Sequence, residues 1–135
     1  MRPIETNLTV MFVTAVFLSA AGCGEREISF ANDVMPILKA NCVECHDGSG
    51  EGVLKSGLNL KDYDDLMKGT KFGPIVVPGD STSSTLYRIV SHRVDPKIQM
   101  PPHHEEALPE GRRPALKMEQ IVTIRQWIDQ GALNN

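Results

Sequence analysis

Cys42-Val43-Glu44-Cys45-His46 is the stretch on which the reading of this chain turns. Two thiols separated by two residues can reach the vinyl groups on one edge of a porphyrin. His46, next in the chain, then falls under the metal and can ligate it through an imidazole nitrogen. C-x-x-C-H is therefore the spacing for covalent attachment of a c-type haem. Two other chemistries use part of the same pattern. A bare Cys-x-x-Cys occurs in redox-active disulfides, and paired cysteines with histidines hold zinc. A zinc ribbon usually shows a second Cys-x-x-Cys, and the sequence has none.

The amino-terminal residues point to the compartment in which such a haem is attached. Residues 1–9 are short and polar with Arg2 as their positive charge, and Val10 to Ala20 are almost wholly apolar. That apolar run is about half the ~20 residues needed to span a bilayer, and small residues follow it directly. Residues 1–22 thus read as a lipoprotein-type signal peptide rather than a transmembrane helix. Ala20-Ala21-Gly22-Cys23 resembles a bacterial lipobox, in which Cys23 is acylated after cleavage. The three cysteines are then accounted for: Cys42 and Cys45 for haem, Cys23 for lipid. The expectation is an exported, cell-envelope or periplasmic protein, lipid-anchored to a membrane.

Removing residues 1–22 from the 135 leaves 113, enough for one domain with a modest core. Net charge is −3 and aromatics are 5% of the chain, which argues against a nucleic-acid partner. Residues 23–28 read as a tether and residues 29–135 as the domain. Phe30, Val34, Ile37, Leu38 and Asn41 share a helical face, with Asn32 or Asp33 as cap and Pro36 confined to the first turn. Asp47 to Leu60 reads as a glycine-rich loop. Asp62 caps a short helix carrying Tyr63, Leu66 and Met67, stopped by Gly69. Ser81 to Ser84 lead into a helix with Leu86, Ile89 and Val90 inward, and residues 94–115 form a proline-rich loop. Met118 to Gln130 is the clearest helix, with Met118, Ile121, Val122, Ile124, Trp127 and Ile128 apolar and Gly131 as its stop. The fold class is all-α: short helices and long loops wrapped around one covalently bound haem.

A haem held by His46 on one side leaves a sixth iron position, for which Met35, Met67, Met100, Met118, His92, His103 and His104 are candidates. Met35, Met67 and Met118 lie on apolar helical faces, where methionine usually packs. Met100 stands in Lys97-Ile98-Gln99-Met100-Pro101-Pro102, where two prolines forbid helix and stiffen the backbone. Met100 ranks first as metal ligand, His103 or His104 second, and an open iron third.

Ser29 to Ala132 resembles a class I monohaem cytochrome c, and more closely the planctomycete-type cytochrome c domain. The elements that carry the resemblance are Phe30-x3-Val34-x-Pro36-Ile37-Leu38, the Cys42–His46 motif, Gly57-Leu58-x-Leu60, Val76-Val77-Pro78-Gly79 with Ser84-x-Leu86, Met100-Pro101-Pro102, and Ile121-x5-Trp127-Ile128-x2-Gly131-Ala132. The resemblance implies a small cytochrome c fold with one covalent haem c. It makes Cys42 and Cys45 the thioether sites, His46 the proximal ligand and Met100 the distal one. The implied function is electron transfer with redox proteins of the cell envelope, without enzymatic activity of its own. The alternative is a haem subunit or sensor domain of a periplasmic oxidoreductase or peroxidase system.

Overall fold

Five short α-helices, a π-turn and a 3₁₀ turn carry the chain in the computed structural model, which describes residues 25–103 and 113–135. The expected signal peptide (1–22), Cys23 and His104 lie outside the described residues. Among the described residues there are no strands, only an isolated bridge between Thr70 and Gly73. This mostly helical, loop-rich architecture is consistent with the expected small cytochrome c fold. No helix among the described residues is long and apolar enough to cross a membrane.

The first helix begins earlier than expected and is capped differently. Ser29, not Asn32 or Asp33, is the cap: its hydroxyl accepts from the Asn32 amide at 3.2 Å. A π-turn over Phe30–Val34 follows, and α1 (Met35–Asn41) continues it with Pro36 in its first turn. Pro36, which has no N–H to donate, falls at the point where the wider π-turn gives way to α-helix. Asp33 instead accepts from the Ser29 amide at 2.8 Å and pairs with Arg26, which holds its carboxyl below the usual carboxylate range. Phe30, Val34 and Leu38 point into the core.

The expected loop over 47–60 contains a helix, α2 (Glu51–Ser56). Its first amides are satisfied from outside the helix: Gly52 N and Val53 N both donate to the Cys45 carbonyl, at 2.9 and 3.3 Å. Gly57 closes it in the left-handed conformation at φ 75°, which glycine adopts without a Cβ penalty. α3 (Tyr63–Lys68) starts at Asp62, which accepts from Asp65 N at 3.0 Å, and stops at Gly69, as the sequence indicates. α4 (Thr85–Val90) buries Leu86, Tyr87 and Val90. α5 (Met118–Asp129) buries Ile121, Ile124, Trp127 and Ile128. Met118, expected on that apolar face, is 70% exposed, because it opens the helix outside the packed turns.

An aromatic cluster joins the beginning, middle and end of the domain. Phe30 meets Tyr63 edge-on at 5.1 Å between centroids and Trp127 at 5.5 Å. Such pairs contribute about 0.5–1.5 kcal/mol beyond their burial. The polar tips are also satisfied: Tyr63 Oη donates to Ala132 O at 2.8 Å and Trp127 Nε1 to Leu133 O at 3.0 Å. Backbone and side chain of Asn135 reach back to Ser29, Phe30 and Ala31.

The segment before α4 is a corner built around one hydroxyl. Ser84 is fully buried, accepts from Val77 N at 2.8 Å and donates to Asp80 O at 2.8 Å. Gly79 N donates to Ile128 O and Ser81 N to Asp129 Oδ1, which docks the corner on α5. The Asp80 carboxylate accepts from Ser83 and Thr82 hydroxyls, and these bonds hold its pKa down to about 2. Ser84→Ala removes the partner of two backbone groups at once. We expect a loss of about 1–3 kcal/mol, seen as a lower denaturant midpoint with an unchanged slope.

Candidate haem-attachment site

The motif is the continuation of α1. Cys42 ends that helix with its amide on Leu38 O at 2.8 Å, and His46 N reaches back to Cys42 O at 3.0 Å. One helical turn therefore carries both thiols and the imidazole. Cys42 and Cys45 are both half-buried, free thiols. Cys42 packs against the core, and burial, with Cys45 beside it, pushes its pKa up to about 12. A redox-active Cys-x-x-Cys works through a thiolate stabilised near or below neutral pH. Cys42 has the opposite environment, which counts against a redox-active disulfide. For zinc, no group of three or more His, Cys, Asp or Glu among the described residues is gathered to hold a metal ion.

His46 is fixed in orientation by its second nitrogen. Nδ1 lies 3.1 Å from the Leu58 carbonyl. A carbonyl only accepts, so Nδ1 carries the proton and Nε2 keeps the lone pair that a metal needs. The Leu60 amide donates to the His46 carbonyl at 2.7 Å, so Gly57-Leu58-x-Leu60 brackets the histidine from ring and backbone alike. α2 lies against the other side of the ring. A Cβ on Gly52 would stand 2.6–2.7 Å from three atoms of the imidazole, and one on Gly50 would collide with the Cys45 carbonyl. Both glycines are therefore demanded by close approach to the motif, and Gly52 has an ordinary helical backbone. Free thiols on one turn, a single-tautomer histidine and a cradle that a methyl group would fill together fit the demands of a covalently attached haem.

Met100 sits on a separate segment. After α4 and a 3₁₀ turn at Pro96–Ile98, its amide faces Ile89 O at 3.5 Å, and a cis bond leads into buried Pro101. Met100 is half-buried, Met35 is buried in the core and Met67 packs against it. His103 donates from Nδ1 to Pro101 O at 2.7 Å, and its ring stacks on His92 at 4.4 Å. Partial desolvation, then the neighbouring His103, keep the His92 pKa below the ordinary imidazole value. Two of the competing histidines, His92 and His103, are thus engaged with each other. A shallow hollow lined by Phe30, Met35, Lys39, Asp62 and Tyr63 contains none of the motif residues. The thiols and imidazole of the motif turn, rather than this hollow, mark the site.

Residues 42–104 match the planctomycete cytochrome C family. The matched span opens on Cys42 and includes Gly57-Leu58-x-Leu60, the Ser84 corner and Met100-Pro101-Pro102. A cytochrome c domain implies electron transfer by a covalently bound haem c, and such domains are generally extracytoplasmic. No curated protein and no solved structure matches the chain.

Three features of the site are not evident from the motif: Gly52 against the imidazole, Leu58 as its carbonyl acceptor, and an ion pair from Arg113 to Glu44 at 2.5 Å. The run Asp47-Gly48-Ser49-Gly50-Glu51-Gly52 after His46 was the visible signal for the first. Gly52→Ala should turn the imidazole away from Leu58. A shifted Nδ1–H resonance of His46 in ¹⁵N-labelled protein, with reduced haem incorporation, is the expected result. An unchanged resonance would show that the ring does not depend on Gly52.

Proposed function

We propose that the chain is a monohaem electron carrier in which Cys42 and Cys45 form the thioether links and His46 Nε2 is one iron ligand. The thioether of Met100 is the other. The observation that carries this reading is the His46 arrangement: Nδ1–H committed to Leu58, Nε2 left as donor, and Gly52 cleared for the ring. When bound, haem c supplies a one-electron iron couple. The remaining work belongs to the chain. α1 presents the thiols, while Leu58 keeps the imidazole aimed. Met100 is a soft donor that favours the reduced metal, and Pro101 and Pro102 limit the entropy its segment loses on docking. A protein ligand in the sixth position leaves no place for an exogenous substrate, which favours carriage over catalysis.

The reading extends to placement in the cell. We assign residues 1–22 to an export signal and Cys23 to acylation, on the apolar run Val10–Ala20 and the sequence Ala20-Ala21-Gly22-Cys23. Redox proteins of the cell envelope are then the partners, with the lipid holding the domain at a membrane. Intact-mass analysis of protein matured in its own host should find a chain starting at Cys23, carrying acyl groups and one haem that survives denaturation. Haem lost on denaturation would overturn the thioether assignment. An unmodified, freely soluble mature chain would overturn the anchor.

The sixth ligand separates carrier from sensor. Wild-type protein should bind carbon monoxide poorly and show the weak sulfur-to-iron band in its ferric state. Met100→Ala should lose that band, gain carbon monoxide binding and fall in reduction potential, while His103→Ala should retain the band. Ready carbon monoxide binding by wild type, unchanged in Met100→Ala, would make a sensing haem the better account.

A further inference from the structure

Glu44 occupies the second variable position of the haem motif, directly before Cys45, and is mostly exposed. Its carboxylate is paired with the Arg113 guanidinium at 2.5 Å. The same arginine donates its backbone amide to the Pro102 carbonyl at 2.7 Å. Pro102 is two residues from Met100, with buried Pro101 between them. One residue therefore holds the motif with its side chain and the methionine segment with its backbone.

We infer that Arg113 is a positioning residue, clasping the Met100 segment to the haem-attachment turn through Glu44. The inference rests on Met100 as the sixth ligand and adds what keeps it there. At its other end the segment is tied to α4 by the amide of Met100 facing Ile89 O. His103, bonded to Pro101 O and stacked on His92, braces the middle. Arg113 supplies the link from this segment to the turn that bears the thiols. Its guanidinium is the stiff, permanently charged form of that link, with a planar fork suited to a carboxylate. Side-chain exposures of 39% for Arg113 and 74% for Glu44 set the scale. A pair this open to solvent is screened by salt and changes an equilibrium by a few-fold, not by orders of magnitude.

The expected consequence is a change in how often Met100 leaves the iron. Ferrous carbon monoxide binding, limited by methionine departure, should rise about threefold in Arg113→Met and in Glu44→Gln at low salt, the range of an exposed ion pair. Arg113→Lys should recover part of the difference, and the charge-exchanged double variant Glu44→Arg with Arg113→Glu should recover more. Molar salt should raise the wild-type rate toward that of Arg113→Met and leave Arg113→Met itself unchanged. Arg113 lies outside the attachment motif, so its variants test the clasp even where Glu44→Gln attaches haem poorly. Equal rates in wild type and Arg113→Met, with the sulfur-to-iron band present in both, overturn the clasp and leave Met100 ligation standing. Absence of the band from wild type overturns the ligation itself, and the clasp with it.

Discussion

The bond from His46 Nδ1 to the Leu58 carbonyl is the constraint around which the motif half of this molecule is arranged. It selects one tautomer and one ring plane, and it does so with a backbone group that cannot be mutated away. Everything nearby is disposed to keep that geometry. The turn Gly57-Leu58-x-Leu60 returns the chain to His46 and closes a second bond on its carbonyl. α2 covers the ring, yet it can approach only because Gly52 has no side chain. The amides that begin α2 are satisfied by Cys45, so the motif caps the helix that shields it. Histidine orientation and helix formation are thus one cooperative event.

The other half of the domain is held by apolar packing that does not involve the motif thiols' chemistry. Phe30, Tyr63 and Trp127 meet in the interior, and the Ser84 corner seats α4 against α5. A domain of this size buries a limited fraction of its surface. Polar tips near that core are satisfied by backbone groups: Tyr63 by Ala132, Trp127 by Leu133 and Ser84 by Val77. α1 joins the halves: Val34 and Leu38 enter the core, and the next residues are the motif.

What the sequence discloses depends on the range of the force involved. α3 and α5 were legible because their determinants are local: an Asp cap and a Gly stop for one, a broad apolar stripe for the other. The Cys42–His46 motif was legible for the same reason, its spacing being set by the size of a porphyrin. α2 was not, because Gly50 and Gly52 read locally as loop residues. They answer instead to a carbonyl and an imidazole several positions upstream. Ser29 was passed over as cap because a π-turn, rather than an α-turn, follows it. Met118 conforms to the apolar period but precedes the turns that are packed. The Arg113–Glu44 pair joins residues on opposite sides of the domain's sequence, and no periodicity announces it. Met100 stands out in the sequence through the rigidity of its neighbours, a local property, whereas the proposed tie between its segment and the motif rests on contacts far apart in the chain.

Trp127 is the sole tryptophan of the chain, is essentially inaccessible to solvent, and bonds to Leu133 through its ring nitrogen. It also touches Phe30 and Tyr63, near the amino-terminal and central parts of the domain. The indole therefore senses three separated segments through one chromophore. In the haem-free chain, where no porphyrin quenches it, its emission depends on the polarity around the ring and on the state of that single N–H bond. Release of the carboxyl-terminal residues from the Ser29–Ala31 segment would wet the ring and break the bond together. The domain carries, without any label, an intrinsic optical gauge of whether its two ends are joined.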